Sequence, residues 1–193
     1  MLHIYRQIAI GGVAVSAALL GAGGAGAFQP ATSNATSNQT AETMVGAMPT
    51  DDRSFVDLAA SSDMFEIAAS KLAKERGVGG EVAGFADQMI ADHSATSAEL
   101  KAVAGAMTPP MTVPDEMNGR HRTMLQQLNE AGPGNGSTRA YVDGQRAAHN
   151  EAVALYTAYA QGGENPALKA FAQKHLPALT RHLDHIRRIE AMR

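Results

Sequence analysis

The 193-residue chain has no cysteine and no tryptophan, and aromatic residues make up only 5% of it. Without cysteine there is no disulfide scaffold, thiolate metal site, cysteine nucleophile or lipidated N-terminal cysteine. The shortage of aromatics argues against an all-β sandwich, because strands favour β-branched and aromatic side chains. Basic charge is scarce too. Sixteen Lys and Arg face 19 Asp and Glu, for a net charge of −3, so there is no electrostatic footprint for nucleic acid. No glycine-rich run lies between a strand and a helix, and no nucleophile–base pair is visible. Phosphate loops, dinucleotide fingerprints and familiar hydrolytic constellations are therefore missing. What the chain does have is alanine, the best helix former, within a hydrophobic content of 45%. These proportions predict an all-α fold.

Residues 1–27 read as a secretory signal peptide. His3 and Arg6 give a weakly basic start, an apolar run follows from Ile8 to Leu20, and Ala25-Gly26-Ala27 is a small-residue cleavage site. The apolar run is short and diluted by glycine, whereas a span needs about 20 apolar residues. Once the signal is removed, no membrane-crossing segment is expected. Residues 28–50 are rich in Thr, Ser, Asn, Gln and Ala without periodicity, and read as a disordered linker. Residues 51–193 are left as one folded domain. The implied location is the periplasm or cell envelope.

Apolar residues recur at helical spacing in four long segments. The first, 52–76, carries Phe55, Leu58, Ala59, Ser62, Phe65, Glu66, Ala69, Leu72 and Ala73 on one face and stops at Gly77. The second, 80–107, carries Val82, Phe85, Ala86, Met89, His93, Thr96, Leu100 and Val103, and ends before Pro109-Pro110. A short helix is expected over 115–131, closed by the glycine-rich breaker 132–136. The third long helix begins at a Ser137 or Thr138 cap and runs to about Gln161, with Tyr141, Val142, Gln145, His149, Val153 and Tyr156 on its stripe. The fourth starts at an Asn165 cap with Pro166 in its first turn and carries Leu168, Phe171, His175, Leu179, His182, Leu183 and Ile186. Pro177 predicts a kink within it. Four such helices, with the short one in a crossover, predict a four-helix bundle of ferritin-like topology.

That prediction places ionisable groups inside the core. Glu66, His93, His149 and His182 each lie midway along an apolar stripe, one per long helix. Carboxylates are almost never fully buried unless paired, so these groups must satisfy one another or hold something. One reading is a metal site with Glu66, His93, His149 and His182 as ligands, suited to a single Zn, Fe or Cu ion. Asp92 and Gln145 would support it from behind. The other reading is a buried polar network that fixes the packing of the bundle. Ten methionines, Met89 among them, could serve copper, but methionine is also ordinary core filler. Di-iron chemistry is disfavoured, because no Glu is followed by His three residues later. His185 falls on the flank of its stripe and reads as a boundary residue.

These residues resemble the exported bacterial family called domain of unknown function 4142. The likeness rests on Phe55-Val56-x-x-Ala59-Ala60-x-x-x-Met64-x-Glu66, on Phe85-Ala86-x-x-Met89-x-x-Asp92-His93, on Tyr141-x-x-x-Gln145-x-x-x-His149, and on Leu168-Lys169-x-Phe171-Ala172 continuing to Leu176-Pro177 and His182-Leu183. It covers about 55–189. The resemblance implies a ferritin-like bundle behind a signal peptide and carries over Glu66, Asp92, His93, Gln145, His149 and His182 as motif positions; His175 is not among them. It leaves the chemistry open. A metal-binding envelope protein and a non-enzymatic structural or stress-response protein both fit, and an enzyme fits less well because no catalytic constellation is complete. No nucleic-acid partner is expected, and a homo-oligomer is left open.

Overall fold

The computed structural model describes residues 48–193. The expected signal segment, and all but the last residues of the expected linker, lie outside that range. Every regular element among the described residues is a helix: α1 (Asp52–Glu75), α2 (Gly80–Gly105), α3 (Gly119–Glu130), α4 (Asn135–Gly162) and α5 (Pro166–Ala191). α1 packs on α2 and α4, α5 packs on α4 and α2, and the short α3 lies against α1 and α4. The described residues form an all-α helical bundle.

Local chemistry sets the ends of these helices. The Asp51 carboxylate accepts from the Ser54 amide at 2.8 Å and caps α1, satisfying a donor that the first helical turn leaves free. At its other end Gly77 turns to φ 77°, and the amides of Gly77 and Val78 reach back to the carbonyls of Lys74 and Ala73. This is a Schellman closure, whose left-handed residue favours glycine. Asn165 caps α5 by accepting from the Ala167 and Leu168 amides, with Pro166 just inside, as the sequence predicts. α5 continues as a helix through Pro177.

Two starts differ from expectation. α3 begins at Gly119, not near 115, because the Asn118 side chain caps it by accepting from the His121 amide. α4 begins at Asn135, three or four residues earlier than a Ser137 or Thr138 cap implies. Gly134, at φ 83°, makes the turn, and no side chain caps the helix. Ser137 is instead buried inside the first turn, its hydroxyl without a protein partner.

Two apolar clusters form the core. One gathers Phe55, Val56, Leu100, Tyr156, Tyr159, Leu168 and Phe171. The other gathers Phe65, Phe85, Met89, Tyr141, Val142, Leu183 and Ile186. Fully burying a large apolar side chain is worth about 1.5–3 kcal/mol, which makes these clusters the main favourable term in folding. On α2, α4 and α5 the chain passes from one cluster to the other through a histidine, and on α1 through Asp63 and Glu66. A polar layer therefore separates the two halves of the core. Its position is fixed by the helical register of both clusters.

Candidate metal centre

Four residues of the polar layer are sealed from solvent. Glu66 and His149 are 0% exposed, His93 2% and His182 3%. A buried polar atom without a partner costs about 1–3 kcal/mol, so the contacts of each atom decide what the layer can do.

Each imidazole is tied down at one nitrogen. His93 Nδ1 lies 2.8 Å from Asp63 Oδ1 on α1, and the other oxygen of Asp63 accepts from Ser97 at 3.1 Å. His182 Nε2 lies 2.9 Å from Asp92 Oδ2 on α2. His149 Nδ1 lies 2.9 Å from the carbonyl of Gln145, one turn earlier on α4. Carboxylates and carbonyls only accept, so each of these nitrogens carries the proton and donates. The remaining nitrogens are His93 Nε2, His149 Nε2 and His182 Nδ1, all buried and without a hydrogen-bond partner in the protein.

The three rings form a nearly equilateral triangle. Their centroids are 5.6 Å (His93–His149), 5.7 Å (His93–His182) and 5.5 Å (His149–His182) apart. One nitrogen from each ring lies within 4.8 Å of the other two. Tetrahedral zinc bonds of about 2.0–2.1 Å put ligand nitrogens roughly 3.3 Å apart, so closure takes at most about 1 Å of inward movement per ring. Metal-binding imidazoles have this anatomy: the far N–H is given to a carboxylate or carbonyl, which fixes the tautomer and aims the free lone pair.

At two of the three rings the electrostatics agree with that anatomy. Burial, reinforced by the charge of His93, holds His149 well below the usual histidine pKa and lowers His182 to about 4. Both are neutral near pH 7, which leaves their lone pairs available. Burial also pulls His93 downward, but the Asp63 hydrogen bond and the charges of Asp63, Glu66 and Asp92 outweigh it, and its pKa rises. Glu66 is pushed up to about 8 by burial, against the lowering influence of His93 and Gln145. Near neutral pH it is a carboxylic acid.

The structure treats the expected site residues differently. It brings His93, His149 and His182 together. Glu66, expected as a fourth ligand, stands beside the triangle and is not part of the converging group. Its Oε1 approaches His149 at 3.3 Å from the Nδ1 side, the side already facing the Gln145 carbonyl, and its carboxyl has the Gln145 side chain as a neighbour. Asp92 backs His182. Gln145 backs His149 through its main chain, while both atoms of its side-chain amide are buried and unpartnered. His175 pairs with Glu99 at 3.1 Å and His185 with Glu81 at 3.2 Å, both outside the triangle. Met89 is buried in the cluster with Phe85.

Asp63, which orients His93, escaped the sequence reading. It sits three residues before Glu66, on the edge of the α1 stripe, and is only 2% exposed. The signal was present as Asp63-x-x-Glu66, two carboxylates one turn apart on a face that otherwise carries Phe and Ala.

Fold and site together define a class: an all-α bundle whose core holds three pre-oriented imidazoles from three helices. The chain belongs to the family described as Domain of unknown function (DUF4142), whose model matches residues 35–189. No curated protein and no solved structure matches it.

Proposed function

We propose that this chain is an exported envelope protein, built as a ferritin-like bundle, that binds one first-row transition-metal ion through His93, His149 and His182. One observation carries the metal reading. Three buried imidazoles each have one nitrogen anchored by an acceptor and the other free, and the rings converge. A purely structural network would use those free nitrogens on protein partners, and none of the three has one.

Charge supports a divalent ion. Three neutral imidazoles leave a 2+ charge on the metal, and Asp63 and Asp92, each bonded to a ligand ring, offset it. Imidazole ligation suits Zn, Cu or Fe. The ferritin-like reading is supported by the ring of contacts through α1, α2, α5 and α4, with α3 in the crossover. Export is supported by the basic start, apolar run and small-residue cleavage site of residues 1–27. Among the described residues no helix is long and apolar enough to cross a membrane.

The test is elemental analysis of the protein after refolding from urea in the presence of Zn, Cu, Fe or Mn and desalting, beside His149→Ala and His182→Gln variants checked for helicity by circular dichroism. One equivalent of metal per chain, lost in the folded variants, is the expected result. Failure to retain any of the four metals would leave the Glu/His layer as a structural network.

A further inference from the structure

Away from the triangle, a cavity of about 130 Å³ lies between α1, α2 and the segment that leads to α3. Ala60, Met64, Leu100, Val113 and Pro114 give it apolar walls. The outer wall is pinned on both sides of Val113. The Arg53 guanidinium donates to the Thr112 carbonyl at 2.9 Å, and the Met111 amide donates to the Ala104 carbonyl at 2.9 Å. Two opposite charges, Lys101 and Asp115, line the same cavity and are exposed. Among the described residues neither is in an ion pair. The remaining polar group is Ser97, whose hydroxyl donates to Asp63 Oδ2 at 3.1 Å. Having given its one proton to Asp63, Ser97 can only accept from anything else. The other oxygen of Asp63 accepts from His93 Nδ1 at 2.8 Å, so the cavity wall stands two hydrogen bonds from the triangle.

We propose that this cavity binds a small zwitterion, a free amino acid with an aliphatic side chain of about four carbons, and that its occupancy is felt at His93. The volume sets the size: an apolar protein cavity of about 150 Å³ holds benzene, and this one, at about 130 Å³, holds a slightly smaller group. The charges set the head group. A carboxylate meets Lys101, while an ammonium meets Asp115 and donates to the Ser97 oxygen. A plain anion would face Asp115 with like charge, and a plain cation would face Lys101 in the same way. The link to His93 runs through Ser97. An ammonium on its oxygen polarises the hydroxyl and strengthens its bond to Asp63, which holds the His93 ring. The site goes beyond the metal reading, and its test needs no metal.

The full chain, kept metal-free with chelator and carrying carbon-13 in its Met and Val methyl groups, is titrated with leucine and followed by nuclear magnetic resonance. Saturable shifts of the Met64 and Val113 methyls are expected. Lys101→Met and Asp115→Asn should each weaken binding about two- to fivefold, as loss of an exposed ion pair does. Leucinamide lacks the carboxylate and isocaproate lacks the ammonium, so both should bind more weakly than leucine. Leucinamide should lose nothing in Lys101→Met, nor isocaproate in Asp115→Asn. No saturable shift with leucine, or equal affinity for all three compounds, would overturn the site. The link is read from the His93 ring resonances at saturating leucine, which should move in the unaltered chain and stay still in Ser97→Ala. Ring resonances that ignore leucine in the unaltered chain, while the methyls respond, would overturn the link and leave the site standing.

Discussion

Glu66 is the residue whose surroundings fit its charge least. It is fully buried, and its pKa is pushed up to about 8 by burial. The sign of the consequence follows from linkage. An acid whose pKa is raised on folding binds a proton more tightly in the native state, so stability falls as pH rises from the unfolded value of 4.5 through about 8. His149 and His182 work the other way. Their pKa values are lowered on folding, so stability falls as pH drops from 6.5 toward the folded values, about 4 for His182. The raised pKa of His93 adds to the alkaline fall. The metal-free protein should thus be most stable near pH 6.5. Glu66→Gln removes the charge and keeps the shape. Each pKa unit is worth about 1.4 kcal/mol, so this variant should be more stable than the unaltered chain at pH 9 by about 1–3 kcal/mol, measured by urea denaturation in chelator. An undiminished alkaline fall in the variant would mean that another group causes it.

At the scale of elements, helix existence and facing were legible because the apolar stripes, the Asn165-Pro166 start and the Gly77 stop are strong local signals. The identities of His93, His149 and His182 were legible for the same reason: a polar residue amid a stripe is conspicuous. Their mutual arrangement was not. A helical wheel gives depth along a face but no direction across the bundle, so Glu66 was read as a ligand when it sits to the side of the triangle. Asp63 was missed because the stripe edge does not reveal which way a neighbouring helix leans. The α3 and α4 starts shifted because a local cap at Asn118 and a local turn at Gly134 set them in place of the starts expected near 115 and at 137 or 138.

The turn joining α4 to α5 yields a sharper test. A Cβ on Gly163 would stand 2.6 Å from the Tyr159 ring and 2.7 Å from the Tyr159 carbonyl oxygen, too close for either to tolerate. The ring has little freedom to retreat, since it stacks on Phe55 with centroids 4.0 Å apart and its hydroxyl donates to Asp52. Gly163→Ala should therefore cost about 1–3 kcal/mol, the usual range for overpacking, read as a lower urea midpoint. Retention of the native midpoint would show that the turn can open without disturbing Tyr159.

Over the whole molecule, the triangle joins helices that follow one another only at α4 and α5, while His93 comes from the α1–α2 side of the bundle. A ligand that binds only the native state stabilises it by about 2.7 kcal/mol at a hundredfold excess over Kd. For a chain of this size, 1 kcal/mol moves Tm by about 2–4 °C. Adding the preferred divalent ion at that excess should raise Tm by roughly 5–10 °C, with the increment absent in His149→Ala. A concentration-independent Tm would place the ion elsewhere than in the cooperative core.

Asp92 is the one group of the layer that reaches water. Its carboxylate side chain is 46% exposed, while the His182 side chain it grips is 4% exposed. An ion held behind that pair has no open door, and leaving requires Asp92 to release His182 or the helices to part. Residence time and affinity then become separate properties, and a modest binding constant could coexist with exchange slower than the lifetime of a preparation. Such a protein would keep the ion it met while folding. Its metal content would record the compartment in which the chain collapsed, more than the buffer in which it was later studied.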